Sequence, residues 1–285
     1  MERLTRVRFT NLDKVMYPGL GVTKAQVIEH YIRMAPRMLG FLRGRVVVTT
    51  RFPDGIEGKG FYEKDAPRGT PEWVETFRRY SETADREINH ILCNDLDTLL
   101  WLANLAALEI HVTLSKAETY EEPDIVLFDI DPEPPAGFSE AVRVALSLEE
   151  ELDALGFEAF VKTSGKKGLH VAMPMESGYK FSQTREFVHE FGRHLAREDA
   201  MVVSERSRSK EPGKVYIDYL QNSSGRTMIC PYSLRAEEGA PVSTPLEWGE
   251  LKGLDPKRLN IFSVSKRRMD PWDSFWKERH RLEVG

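Results

Sequence analysis

Three aspartates are the residues best placed to do chemistry in this 285-residue chain: Asp129 and Asp131 in DIVLFDIDPEPP, and Asp218 in VYIDYLQN. Ile125-Val126-Leu127-Phe128 is an apolar run of strand length, and side chains two apart on a strand point to the same face. Both carboxylates of the Asp-x-Asp pair therefore leave the sheet on one side. Val215-Tyr216-Ile217 is a second short apolar run ending in an acid, and a neighbouring strand there would set Asp218 beside the other two. Three carboxylates packed together repel one another unless cations sit between them. Oxygen-only ligands suit Mg²⁺ or Mn²⁺, and a pair of such ions is the usual machinery for in-line displacement at phosphorus.

An Asp-x-Asp at a strand end is by itself more often structural than catalytic, and a third element shifts that balance. The stretch VKTSGKKGLHVAMP gathers Lys162, Thr163, Ser164, Lys166, Lys167 and His170 into a glycine-punctuated turn between two apolar runs. Gly165 and Gly168 free the backbone to approach an anion, while the cations and hydroxyls supply donors. It is not a Walker loop, because the four-residue spacer and the Lys-Ser/Thr ending are missing.

The elements that must hold these residues are legible from periodicity. After Pro123 the pattern predicts a strand, a loop, a helix over 139–155, a strand over 158–162, a turn and a strand over 169–173. A helix over 182–197 and strands near Met201, Val215 and Met228 follow, and this alternation indicates a mixed α/β sheet. Upstream, Thr23-Lys24-Ala25-Gln26 reads as a capped helix start, and the β-branched run 46–50 as a strand. A Phe52-Pro53-Asp54-Gly55 turn and two further glycines lead into the pair Phe61-Tyr62. Asn94 is expected to cap a helix reaching Leu108, with Asp95 and Asp97 in its first turn, so that His111 follows on a rigid support. The other five histidines fall on expected helix surfaces or in the tail, where solvation is the default. From Pro245 onward the chain reads as a wrap around the core, with Trp248, Trp272 and Trp276 as packing anchors.

Length allows one large domain with two submodules, 1–115 and 116–285. The most apolar region, 96–112, is broken by Asp97, Asn104 and Glu109, which argues for a buried element over a membrane span. No signal peptide is evident, and two cysteines without a partner motif argue for reduced thiols and against zinc; a cytoplasmic location is expected. Forty basic against 45 acidic residues give a net charge of −5, which at first opposes nucleic-acid binding. Phosphate contacts are local, however, and screening confines them to about 8 Å at physiological salt. Basic residues gather at Arg3, Arg6 and Arg8, at Arg206, Arg208, Lys210 and Lys214, and at 266–268, so any DNA surface is expected as patches.

The order Asp-x-Asp, Ser-Gly-x-x-Gly-x-His, hydrophobic-Asp resembles the archaeo-eukaryotic primase superfamily, and within it the polymerase domain of bacterial DNA ligase D, an end-joining enzyme. Collinear strings carry the likeness: LTRVRFTNLDKVMYPGLGVTKAQVIEHY, RFPDGIEGKGFYEKDAP, NDLDTLLWLANLAALEIHV, VLFDIDPEPP, KTSGKKGLHVAMP and IDYLQNSSGRTMICPYSLRAEEGAPVSTPLEW. The resemblance implies an α/β (α+β) primase-polymerase core with mixed sheets, an RRM-like catalytic module on an N-terminal α/β module. It implies that Asp129 and Asp131 hold two metal ions, Mn²⁺ in preference to Mg²⁺, and that Asp218 completes the site at the primer terminus. Ser164, Lys167, His170 and Arg235 then meet the phosphates of the incoming nucleotide, and His111 lies near the primer end. Lys14 and Lys24 grip a DNA 5′-phosphate, and a template base stacks on Phe61 and Tyr62. Three places depart from the pattern: Val112-Thr113 replaces Pro-Trp after His111, Gln221 stands where some members have arginine, and SERSRSKEPGK aligns poorly.

The implied activity is transfer of ribo- or deoxyribonucleotides from NTP or dNTP to a primer 3′-OH at gapped or broken, 5′-phosphorylated DNA, near the nucleoid. Nothing in the sequence resembles a nucleotidyl-lysine ligase motif, a nuclease or a zinc-bearing primase module. Ku and an ATP-dependent DNA ligase are therefore expected as partners on separate chains, with no membrane role. Two other readings use the same residues: a DNA-end-binding module without turnover, and a two-metal phosphohydrolase.

Overall fold

Thr23 opens the first long helix as its sequence predicts. Its hydroxyl accepts from the Gln26 N–H, and the Gln26 side chain returns to the Thr23 N–H, so two otherwise unpaired groups are satisfied reciprocally. The structure, a computed structural model, describes residues 5–81 and 84–282. Arg3 of the first basic group lies outside them. Two compact units emerge: one is the chain up to Thr113 with Ile229–Ser243 and Lys257–Arg267, the other Leu114–Met228, Thr244–Pro256 and the chain from Arg268. Where the sequence suggests a single boundary near residue 115, the chain leaves the first unit at Thr113 and returns to it twice.

In the first unit, β1 (Val15–Tyr17) and β2 (Val22–Thr23) form a small antiparallel pair ahead of α1 (Lys24–Leu42). Then come β3 (Val46–Arg51), β4 (Phe61–Glu63), β5 (Thr76–Ser81), β6 (Arg86–Leu92), α2 (Leu96–Asn104) and β7 (Ala107–Thr113). In the sheet, β7, β3, β6 and β5 lie in that order with β4 also on β3, and every one of these pairs is antiparallel. Val46, Val47 and Val48 are buried, as a β-branched run in a central strand should be.

The helix expected to reach Leu108 stops at Asn104. Asp95, rather than Asn94, caps it by accepting from the Thr98 N–H at 2.8 Å, while the Asn94 side chain accepts from Gly44 N–H at 2.7 Å. Ala106 then takes a left-handed turn at φ 62°. The physical reason is competition from β3. Residues 107–113 alternate in strand fashion, and pairing Val47 to Thr50 with Val112 to Glu109 secures a hydrogen-bond ladder and buries Ile110 and Val112 completely. His111 therefore projects from the middle of a strand. Two histidines expected in solvent are likewise buried. His30 on α1 sets Nε2 2.9 Å from the Tyr232 carbonyl, and burial pushes its pKa down to about 4. His90 lies on β6 with Nδ1 3.0 Å from the Lys64 carbonyl.

The second unit contains β8 (Ile125–Pro132), α3 (Phe138–Ala154), β9 (Phe160–Thr163), β10 (Leu169–Pro174), α4 (Phe181–Glu198), β11 (Val202–Val203) and β12 (Val215–Ile217). After β13 (Thr227–Ile229), which is not part of this sheet, the short β14 (Pro245–Leu246) completes a sheet of order β11-β12-β8-β10-β9-β14. One pair, β11 with β12, is parallel and the others are antiparallel, the mixed α/β arrangement that the alternation predicts. Phe128 packs its ring edge-on against Phe187 and Phe191 of α4. By the two-residue period of a strand, Asp129 and Asp131 point to the opposite face. Trp248 and Trp272 donate their indole N–H groups to the Ala159 and Val161 carbonyls, and Trp272 stacks on Phe275, so these tail tryptophans are packing anchors. Both cysteines are buried free thiols, and no helix among the described residues is long and apolar enough to cross a membrane.

Candidate active site

The register of three strands sets the acidic cluster. On β8, Asp129 stands opposite His170 of β10, and Asp131 opposite Tyr216 of β12. Asp218 leaves the end of β12 with its backbone N–H donated to the Asp129 carbonyl at 2.8 Å. Burial, and then the charges of Asp131 and Asp218, push the Asp129 carboxyl well above the ordinary carboxylate range, with Lys162 pulling it back. Burial also raises Asp131, opposed by Lys167 and Lys210. Asp129 Oδ1 lies 3.4 Å from His170 Nε2, and its Oδ2 accepts from Gln221 Nε2 at 3.3 Å. Asp218 Oδ1 accepts from the Tyr216 hydroxyl and the Leu220 N–H, both at 3.0 Å, and its Oδ2 lies 3.8 Å from the exposed Arg206 guanidinium. So arranged, no three His, Cys, Asp or Glu side chains among the described residues close into a ligand cage.

The glycine-punctuated turn sits at the adjoining strand ends. Ser164 Oγ accepts from the N–H groups of Lys166 (3.3 Å) and Gly168 (3.2 Å), and the Ser164 N–H returns to the Gly168 carbonyl at 3.0 Å. Gly168 has no substitute, because a Cβ there would lie 2.3 Å from the Ile130 carbonyl oxygen and 3.2 Å from Asp131 Oδ1. That close approach lays the turn directly on the Asp-x-Asp strand. Lys167 reaches out of it, 3.7 Å from Glu133.

The raised carboxyls have a consequence for stability. Asp129 and Asp131 bind protons more tightly in the folded chain than in the unfolded one. Stability of the metal-free protein must then fall as pH rises from the ordinary carboxylate range through their raised folded values. Asp129→Asn removes one such charge, so the variant should melt above wild type at neutral pH, with the gain shrinking as pH is lowered. Thermal unfolding across pH checks this, and a variant that melts no higher at neutral pH would contradict it.

In the first unit, β7 presents Glu109 and His111 on one face. Burial alone would raise the Glu109 carboxyl, yet the hydrogen bond from His111 and the Arg235 charge bring it down to about 2. Arg235 Nε lies 3.0 Å from Glu109 Oε1, and His111 Nε2 lies 3.2 Å from Oε2. The Tyr62 ring meets the His111 ring edge-on at 6.0 Å. Phe61 and Tyr62, on β4, are 40% and 50% exposed, too open for core residues, and the Arg51 guanidinium covers Phe61 at 5.1 Å. Lys14 and Lys24 are joined through the backbone, Lys24 N–H to Lys14 carbonyl at 2.8 Å. Lys14 pairs with Asp54 at 2.7 Å, whereas Lys24 is buried at the start of α1 with Nζ donating to the Thr10 carbonyl. Burial and the neighbouring Lys14 charge lower the Lys24 pKa.

The residues singled out from sequence thus form two groups. Asp129, Asp131, Ser164, Lys167, His170 and Asp218 gather in the second unit, and Lys14, Lys24, Phe61, Tyr62, His111 and Arg235 belong to the first. Sequence reasoning missed Glu109 and Tyr216. The signal for Glu109 is its place two residues before His111 in a β-branched run, which puts both on one strand face. Of the basic loop, Arg208 pairs with Glu211 and Lys210 with Glu133, and Arg6 in the N-terminal group pairs with Asp95 and Asp97, so much of that charge is already neutralised.

Comparison with known proteins agrees with this geometry. Residues 23–275 match the family described as LigD, primase-polymerase domain. The bifunctional non-homologous end joining protein LigD of Bacillus subtilis is 33% identical over 265 residues, covering 92% of this chain and 42% of that protein. The multifunctional LigD of Mycolicibacterium smegmatis is 31% identical over 272 residues, 94% of this chain and 35% of that protein. The chain thus spans less than half the length of these relatives. The solved polymerase domain of Mycobacterium tuberculosis ligase D, in complex with DNA, superimposes with a TM-score of 0.88 at 28% identity, covering 97% of this chain and all of that one. A match over most of the chain, together with the acidic strand pair and its glycine-bound turn, shows that this chain belongs to the LigD primase-polymerase domain family.

Proposed function

We propose that the chain is a nucleotidyltransferase that extends a primer 3′-OH with ribo- or deoxyribonucleotides at gaps and broken ends, in non-homologous end joining. The observation that carries this is the placement of Asp129, Asp131 and Asp218 on adjoining strands beside a turn whose glycine packs on the Asp-x-Asp backbone. The donor set fits hard divalent cations. It is oxygen-only, and burial, together with the charge of neighbouring aspartates, holds the Asp129 and Asp131 carboxyls above the ordinary range, a cost that a bound cation would offset. Asp129, Asp131 and Asp218 would hold two ions, Mn²⁺ in preference to Mg²⁺. Such ions, when bound, acidify the attacking hydroxyl and neutralise charge on the triphosphate.

The chain's own residues do the rest. Ser164, Lys167 and His170 meet the triphosphate from the turn, and Arg235 adds a guanidinium suited to phosphate oxygens. Phe61 and Tyr62 offer a stacking platform for an unpaired template base, a contact worth about 1–3 kcal/mol per base. Lys14 and Lys24 receive the 5′-phosphate across the gap. In this reading Ku and a DNA ligase act at the same ends.

Incubation with gapped duplex, Mn²⁺ and labelled ribonucleoside triphosphate tests the proposal: a lengthened primer supports it, and a shortened or unchanged one overturns it. A narrower expectation concerns the turn. Ser164→Ala and His170→Ala should each raise the KM for triphosphate or lower kcat/KM by about tenfold or more, the scale of a lost hydrogen bond to a charged group, with DNA affinity unchanged. Loss of folding in His170→Ala without a kinetic effect in the folded fraction would instead assign that histidine a packing role.

A further inference from the structure

Glu109 accepts hydrogen bonds at both of its oxygens and is ion-paired at one of them. Oε1 takes the Ala236 N–H at 3.2 Å and faces Arg235 Nε at 3.0 Å, while Oε2 takes the Thr50 hydroxyl at 3.2 Å and faces His111 Nε2 at 3.2 Å. A carboxylate has about four acceptor sites; three are filled by hydrogen bonds here, and the Arg235 charge lies beside the same group. The side chain is only 9% exposed, on the strand face it shares with His111 and directly opposite Thr50 of β3. A buried anion is costly unless it is paired and hydrogen-bonded, and here every partner is a donor.

The arrangement fixes two geometries at once. An ionised carboxylate can only accept, so His111 Nε2 must carry a proton where it faces Oε2. The ion pair holds the Arg235 guanidinium beside Glu109, with Nε 3.0 Å from Oε1. The loop that carries Arg235 is tied as well: the Tyr17 hydroxyl donates to the Arg235 carbonyl at 2.9 Å, and the Arg235 N–H to Pro241 at 2.9 Å. We propose that Glu109 is a positioning residue of the nucleotidyl-transfer site, one that sets the tautomer of His111 and the aim of Arg235 toward a nucleoside triphosphate. It rests on the nucleotidyltransferase reading for its consequence, and on this hydrogen-bond pattern for its existence.

Glu109→Gln decides the matter because it keeps the shape and changes the donors. On one side Arg235 Nε and the Ala236 N–H can only donate, so the amide oxygen must face them. The amide NH₂ then faces the Thr50 oxygen and His111 Nε2, and the ring can accept there only by moving its proton to Nδ1. In the Gln variant, long-range ¹⁵N–¹H spectra of the His111 ring should therefore show the switched tautomer. The expected kinetic result is a kcat lowered by about ten- to a hundredfold with KM for triphosphate within about threefold of wild type. Glu109→Ala should add a raised KM, since Arg235 loses its partner. His111→Ala in the Gln background should cost little more, because the two act as one unit. A folded Gln variant with an unswitched ring, or with wild-type kcat, overturns the proposal. If the wild-type protein adds no nucleotide at all, the functional reading fails by itself, and the ring spectra still decide the role of Glu109.

Discussion

Replacing Asp129 or Asp131 by alanine should lower nucleotide addition by about a thousandfold or more, the scale on which removing a reacting centre's main electrostatic stabilisation acts. DNA affinity should stay close to wild type. Both carboxylates project from one face of β8, and burial, then repulsion from neighbouring aspartates, raises them. A carboxylate repels phosphate, so its removal takes no contact away from DNA. The same removal should not unfold the chain, since a buried charge without full compensation costs stability. A second reading separates metal from fold: Mn²⁺ should raise the melting temperature of wild type and leave that of Asp129→Ala unmoved. Substantial activity in either variant, or an equal thermal shift in both proteins, would remove these residues from the reaction.

The double substitution Lys14→Ala with Lys24→Ala should erase the preference for 5′-phosphorylated over 5′-hydroxyl gaps. Lys24 is buried at the first turn of α1, where backbone N–H groups already favour an anion, and its lowered pKa reflects burial and the nearby charge of Lys14. An arriving phosphate would relieve both. The Lys14 ion pair with Asp54 is exposed on the carboxylate side and worth about 0–1 kcal/mol, so phosphate displaces it readily. Each charge-assisted contact contributes about 1.5–3 kcal/mol, which for two amounts to roughly a hundred- to ten-thousandfold in affinity. Binding to matched phosphorylated and hydroxyl gaps at about 0.1 M salt measures it, because lower salt exaggerates every phosphate contact. Wild-type discrimination in the double variant would place the phosphate pocket elsewhere.

How far the sequence discloses this structure depends on how local each signal is. The apolar run before Asp129 and the capping pair Thr23 and Gln26 are local, and both elements form where they are expected. The stretch after Asn104 is ambiguous, since Ala106-Ala107-Leu108-Glu109 has good helical propensity. Its fate is settled by pairing with β3, more than fifty residues earlier in the chain. The hairpin of β5 and β6 gives little signal, because Arg78, Arg79 and Tyr80 face partly outward and its apolar alternation is weak. His30 and His90 look solvated in sequence and are buried against carbonyls, each determined by a neighbour distant in the chain. Among site residues, the carboxylate triad needs only strand period and strand order. The surroundings of Glu109 draw Thr50, His111 and the Arg235-Ala236 pair from three separate segments, which no local pattern contains.

The most direct measurement of the central claim is single-turnover nucleotide addition at a one-nucleotide gap bearing a 5′-phosphate, with Mn²⁺ and labelled ribonucleoside triphosphate. Wild type and Asp129→Ala are compared at equal DNA occupancy, and pyrophosphate is followed beside the primer. The expected result is a primer one nucleotide longer in wild type, pyrophosphate released in equal amount, and neither product from Asp129→Ala. A DNA-bound wild-type protein that leaves the primer unextended, or that releases phosphate or shortened strands in place of pyrophosphate, would contradict it.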